Sequence, residues 1–166
     1  MSWALVAAAA TGLNAGSGLH CLLVECYPGK GTGTGTAQDL ADSYWQLFRS
    51  TTNAKLRLSS TLGTIGSLAS LGAYFTGEVG DPAWITCAIV SAIVPLYNLL
   101  VLNPTASVVN NPVMDAQLPK ERDSWLVSFN RKSMITAGFA LTAFACTLLT
   151  AGIVEDSVAD GFRFRP

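Results

Sequence analysis

Four long stretches of this 166-residue chain contain no Asp, Glu, Lys or Arg: Trp3–Val24, Leu58–Thr76, Ala83–Leu102 and Ser133–Val154. A helix rises about 1.5 Å per residue, so roughly 20 residues cross a ~30 Å hydrocarbon core. The lack of charge excludes the helices of a water-soluble bundle, whose outer faces need it. Over the whole chain only 13% of residues are charged, against about 25% in ordinary soluble domains. The net charge is −1 and there is no basic block, so no nucleic-acid partner is expected. None of the cysteines (Cys21, Cys26, Cys87, Cys146) forms a Cys-x-x-Cys pair, which argues against a quinone-reducing thiol oxidoreductase. The Gly-Thr repeat at Gly31–Thr36 lacks the spaced Gly-Lys-Ser/Thr of a phosphate loop. The first stretch has no basic start and is long for the apolar region of a signal peptide, so it reads as a span.

What remains is half hydrophobic, with a mean hydropathy of +0.39. The expected fold is all-α: one domain, residues 1–166, forming an integral membrane four-helix bundle. The amphipathic segment Ala37–Lys55 adds a further helix between the first and second spans. In it Leu40, Tyr44, Leu47, Phe48 and Thr51 fall on one face, and Tyr44 and Trp45 suit the headgroup layer. No strong breaker separates this helix from the second span, so the two can form one rod. Pro95 should kink the third span and leave the Ser91 carbonyl facing the bundle, because lipid cannot satisfy it. Asn103-Pro104 is expected to end that helix, Asn110–Arg122 to be loop, and Trp125–Lys132 to begin the last one.

Basic residues orient the bundle. Lys30, Arg49, Lys55 and Arg57 belong to the first long connection, and Lys120, Arg122, Arg131 and Lys132 to the second. Only Arg163 and Arg165 lie elsewhere, in the tail. The positive-inside rule then puts both long connections in the cytoplasm and both termini on the exoplasmic or lumenal side. Small residues (Gly12, Gly16 and Gly18; Gly63, Gly66 and Gly72) permit close helix contact.

Polar groups inside a bilayer are costly and need partners or a role. At ~100° per residue, Thr11, Asn14, Gly18, Cys21 and Glu25 share one side of the first helix, with His20 on its flank. The third helix aligns Cys87, Ser91, Pro95, Asn98 and Leu102, with Tyr97 adjacent. The fourth presents Arg131, Ile135, Thr142 and Cys146. If these faces converge they enclose a cavity toward the cytoplasmic end, near Glu25, His20, Asn98, Asn103 and Arg131. His20 and Glu25 make a plausible base pair there, while the alternative use of the polar groups is interhelical bonding. Asn14, Tyr97, Asn98, Asn103 and Arg131 are the candidate substrate contacts.

Several of these features coincide with one family. Gly16-Ser17-Gly18-Leu19-His20-Cys21 runs toward Pro28, and Tyr44-Trp45 precedes the second span. Val94-Pro95-Leu96-Tyr97-Asn98 leads to Asn103-Pro104-Thr105, and Trp125 is followed by Phe129-Asn130-Arg131. On these motifs the chain resembles the DUF1772 family of small four-helix membrane proteins, which includes the fungal anthrone oxygenases. The resemblance implies oxygen insertion into a lipophilic phenolic tricycle without flavin, metal or other cofactor. By it, His20 would be the base, Glu25 its orienter, and Asn98, Tyr97 and Arg131 the oxyanion contacts. Pro95-Leu96-Tyr97 departs from the family's Pro-Phe-Thr, and the Trp125, Asn130 and Arg131 spacing also departs. The other reading is a non-catalytic tetraspan subunit, packed against further membrane subunits or a second copy and solvated by membrane lipid.

Overall fold

The computed structural model describes residues 2–24, 36–76, 82–109 and 119–152. Glu25, Cys26, most of the Gly-Thr repeat, the Gly77–Asp81 link and the tail from Ile153 lie outside the described residues. Among those described the chain is all helix: α1 (Trp3–Val24), α2 (Thr36–Phe75), α3 (Ala83–Tyr97), a π-helical turn (Asn98–Leu102), α4 (Asn103–Val109) and α5 (Pro119–Thr150).

Named contacts give an up-down-up-down arrangement. Ser59 of α2 meets Asn14 of α1, and farther along α2 the site of a Gly72 Cβ lies against Trp3. Ser67 of α2 reaches Ala88 of α3, while Ser60 reaches Asn98. Asn98 in turn meets Thr136 of α5, and Cys87 meets Thr150. Each neighbouring pair is therefore antiparallel, as short or modest connections require.

Glycine sets the closest approaches. A Cβ on Gly63 would lie 2.8 Å from Pro95 Cδ and 3.2 Å from the Ser91 carbonyl oxygen. The Ser91 carbonyl, which Pro95 cannot serve with an N–H, thus faces α2 inside the bundle. A Cβ on Gly18 would lie 3.1 Å from Ala137 Cβ, and one on Gly66 would lie 2.9 Å from the Thr11 methyl.

One expectation left open is resolved and two change. α2 is one continuous helix of 40 residues, the single rod that the missing breaker allows, so the amphipathic segment is not a separate element. Nothing between Lys55 and Leu58 can break it. Asn103-Pro104 does not end the third helical run. The Asn103 N–H bonds to the Asn98 carbonyl five residues back, and this π register comes immediately before the proline, so the chain continues into α4. Such turns are an established way for a helix to absorb a register change. α5 starts at Pro119 instead of near Trp125, with proline at its first position, where the missing N–H costs nothing.

Trp45 also departs from expectation. It is 3% exposed and stacks on Phe48 at 6.2 Å, and Phe48 meets Phe129 edge-on at 4.8 Å. Together with Leu56, Leu102, Ala106 and Leu126 they form an aromatic cluster at one end of the bundle, which buries the indole instead of offering it to headgroups. At the other end Ala7, Ala69, Ala73, Trp84 and Cys87 pack tightly.

The outside is apolar. Leu13, Leu68, Phe75, Ile89, Leu100 and Leu149 are each more than half exposed. Ala83–Val108 (26 residues, mean hydropathy 2.2) and Ser124–Thr150 (27 residues, 1.6) are long and apolar enough to cross a membrane. Only 33% and 22% of their most apolar windows are buried, unlike the core helices of a soluble protein.

Candidate ligand cavity

Between the tightly packed end and the aromatic cluster the helices leave a cavity of about 100 Å³. Its walls come from α1 (Asn14, Ser17, Gly18, Cys21), α2 (Phe48 to Ser59), the π turn (Asn98, Leu102) and α5 (Phe129 to Ala140). Small residues on facing helices open the space, and Asn98 and Leu102 of the π turn border it.

One side of the cavity is a chain of neutral hydrogen bonds. The Ser59 hydroxyl donates to Asn14 Oδ1 at 2.9 Å, Asn98 Nδ2 donates to the Ser60 hydroxyl at 3.1 Å, and the Thr136 hydroxyl reaches Asn98 Oδ1 at 3.4 Å. Asn98 is fully buried and ties three helices together. In lipid such cross-helix bonds contribute about 0.6 kcal/mol each on average, so the network's larger effect is to fix helix register. Thr52 donates to its own helix, at the Phe48 carbonyl, which leaves its methyl for the wall. The opposite side is apolar: Phe48, Leu56, Leu102, Phe129, Ala137 and Ala140.

The candidate residues divide. Asn14 and Asn98 line the cavity and are 4% and 0% exposed. Tyr97 is half-buried beside it, its ring 6.2 Å from Phe139 and packed on the aromatic cluster. His20 is exposed and not on the wall, about 120° around α1 from Asn14. Asn103 and Arg131 are exposed and also off the wall. Glu25 lies outside the described residues.

The expected inner face of the last helix is corrected. Arg131, Ile135 and Thr142 point outward, and the buried stripe is Phe129, Thr136, Ala137, Ala140, Ala143 and Thr147. Thr142 satisfies its hydroxyl on the Gly138 carbonyl at 2.9 Å and so tolerates the apolar outside. Alanines take the interior because α1 approaches too closely for larger side chains.

Sequence reasoning overlooked Lys55, Phe129, Asn130 and Ser133, all on the cavity wall. Lys55 had a usable signal. At ~100° per residue it falls about 20° from Phe48 and about 40° from Ser59, inside the inward stripe of α2. Its neighbour in level, Lys132, donates to the Thr105 hydroxyl at 3.0 Å.

Among the described residues no three His, Cys, Asp or Glu side chains gather as a metal site, and Cys21, Cys87 and Cys146 are unbridged. Fold and cavity together define an all-helical bundle with an apolar exterior and an internal pocket of mixed polarity. The chain matches no protein-family model, no curated protein and no solved structure.

Proposed function

We propose that this chain is a multi-pass membrane protein of four spans that holds a lipophilic small molecule in the cavity between them. One observation carries the reading: a cavity walled by α1, α2, α5 and the π turn, apolar on one side and hydrogen-bonded on the other, inside a protein whose outer surface is apolar. Pockets that bind small molecules have this make-up, largely hydrophobic with a few placed polar groups. Its size bounds the ligand. An engineered cavity of about 150 Å³ admits benzene; this one, at about 100 Å³, is smaller but open on one side, so it seats part of a ring or tail and the rest of the ligand projects outward.

The test is saturable binding of 4-butylphenol to the full chain in phosphatidylcholine nanodiscs, measured by equilibrium dialysis. Ala140 is 2% exposed on the wall, and Ala140→Leu fills the space. Saturable binding to the wild type and none to Ala140→Leu is the expected result. Equal uptake by both would leave the cavity without a ligand.

By the positive-inside rule, the basic residues favour both long connections on the cytoplasmic side. A tag after Pro166 should then be protected from protease in sealed, cytoplasm-side-out vesicles. Its cleavage would reverse the topology.

A second reading adds chemistry to the same pocket: cofactor-independent oxidation of a phenolic, anthrone-type polycycle, as the family resemblance implies. The phenylalanine faces on the wall favour it, since Phe48 and Phe129 could flank a flat ring. A tricycle is larger than the resting cavity, so substrate would have to part α1 from α5 along the Gly18–Ala137 contact. The remaining alternative, a non-catalytic subunit of a larger membrane assembly, predicts no ligand and a partner chain on the apolar outside.

A further inference from the structure

We infer that the ligand of this cavity is an uncharged ketone or ester whose carbonyl oxygen accepts from the Asn14 side-chain N–H groups at mid-bilayer. The inference rests on the ligand-binding reading above and narrows it to one chemical class. An asparagine amide has one accepting oxygen and two N–H donors. Asn14 is on the cavity wall and 4% exposed. Its hydrogen bond among the described residues uses the oxygen, which accepts from Ser59 at 2.9 Å, and its Nδ2 donates to none of them. Asn98, fully buried on the same wall, uses its oxygen on Thr136 and one N–H on Ser60, which leaves the other N–H. Buried amide groups are nearly always paired. Both oxygens are engaged here, and what the two buried asparagines have left for a guest is N–H. The half-buried Ser17 and Ser133 hydroxyls on the wall can donate or accept, so they do not discriminate.

Depth decides which acceptor. Asn14 stands near the middle of the 22-residue helix α1, so roughly 15 Å of helix separates it from either end. That is half of a ~30 Å hydrocarbon core. An N–H left without an acceptor there is costly, and an acceptor meets little competition from water. A carboxylate would bring its charge to the bilayer centre, where ions are disfavoured. An alcohol would bring a donor of its own, for which both amide oxygens are already engaged. A ketone or ester carbonyl brings an acceptor alone. The ester carbonyls of bilayer lipids lie at the edge of the hydrocarbon region, not at its centre, so the site suits a free molecule. Phe48, Leu56, Leu102 and Phe129 supply the apolar surface for the ring or tail beside the carbonyl.

The experiment compares 4-butylacetophenone with its alkene isostere, in which a methylene group replaces the carbonyl oxygen. Both are dialysed against the full chain in phosphatidylcholine nanodiscs, with affinities referred to the probe concentration in the bilayer. One neutral hydrogen bond corresponds to about fivefold in affinity. The ketone should bind about fivefold tighter than the alkene to the wild type and to Ser59→Ala, which keeps the Asn14 amide. The preference should vanish when Asn14→Val is combined with Ser59→Ala, a pairing that leaves no freed hydroxyl to stand in as donor. Where that double variant does not fold, the wild type alone suffices: the infrared carbonyl stretch of the isotope-labelled bound ketone should lie below its value in empty nanodiscs. An unshifted band, or equal affinities of ketone and alkene for the wild type, would overturn the carbonyl assignment and leave the lipophilic pocket standing. A preference that survives in the double variant would overturn Asn14 as the donor. Ketone binding seen only in nanodiscs of ether-linked lipid would assign the N–H groups to a lipid ester and overturn the free ligand. No saturable binding of either probe in either lipid, with the wild type indistinguishable from Ala140→Leu, would overturn this inference and the binding reading together.

Discussion

His20→Gln is expected to separate binding from catalysis. The imidazole is exposed and off the cavity wall, so 4-butylphenol should bind the variant as it binds the wild type. In the oxygenase reading, removing the proton from a phenolic tricycle needs a base, and loss of a general base costs about two to four orders of magnitude in rate. Gln keeps a polar side chain of similar size without the basic nitrogen, and membrane insertion should be unchanged. Steady-state oxidation of an anthrone by both proteins, with binding measured in parallel, decides the matter. Near-normal turnover by His20→Gln would remove His20 from the base role. Failure of the wild type to oxidise any anthrone-like compound would remove the reaction and leave the binding function.

Gly63→Val is expected to be the most damaging single substitution in the helix contacts. Even the first added carbon would meet Pro95 Cδ at 2.8 Å and the Ser91 carbonyl oxygen at 3.2 Å. Neither can swing aside: one belongs to a ring fused to the backbone, the other to the backbone itself. Overpacking typically costs about 1–3 kcal/mol and sometimes more, and here relief requires α2 and α3 to separate. That separation would also pull Ser60 from Asn98. Gly72→Ala provides the contrast. Its Cβ would come within 2.7 Å of the Trp3 ring, but that ring is a side chain near the start of α1, 44% exposed and able to move. Thermal unfolding in detergent should show a large loss for Gly63→Val and a small one for Gly72→Ala. Equal stability of Gly63→Val and the wild type would show that α2 and α3 do not meet this closely.

Why some of this was legible in the sequence follows from where polarity falls. In α1 and α3 the inward stripes carry Thr11, Asn14, Ser91 and Asn98, and in an apolar helix such residues mark the side that can satisfy them. Those stripes face the bundle. In α5 the same reasoning picks the wrong side. Arg131, Ile135 and Thr142 face outward, while the interior stripe is largely alanine, with Thr136 and Thr147 its only polar marks. In this bundle the usual contrast is reversed: leucine faces out and small residues face in. The continuity of α2 was readable from the missing breaker. The π turn was not, since Pro95 and Asn103-Pro104 each suggest an interruption and nothing in composition shows that a register shift absorbs the second. Lys55 was counted among the orienting charges, and its place on the Phe48–Ser59 stripe went unweighed.

The most direct test of the cavity uses a thiol already on its wall. Cys21 lines the space and is half-buried, and a variant with Cys26, Cys87 and Cys146 changed to serine leaves it as the single reporter. Its alkylation by a membrane-permeant maleimide is followed with and without 4-butylphenol. At a ligand concentration about ten times Kd, occupancy should slow the reaction about tenfold, and Ala140→Leu should show no ligand dependence. An alkylation rate indifferent to saturating ligand would contradict a ligand site between these helices.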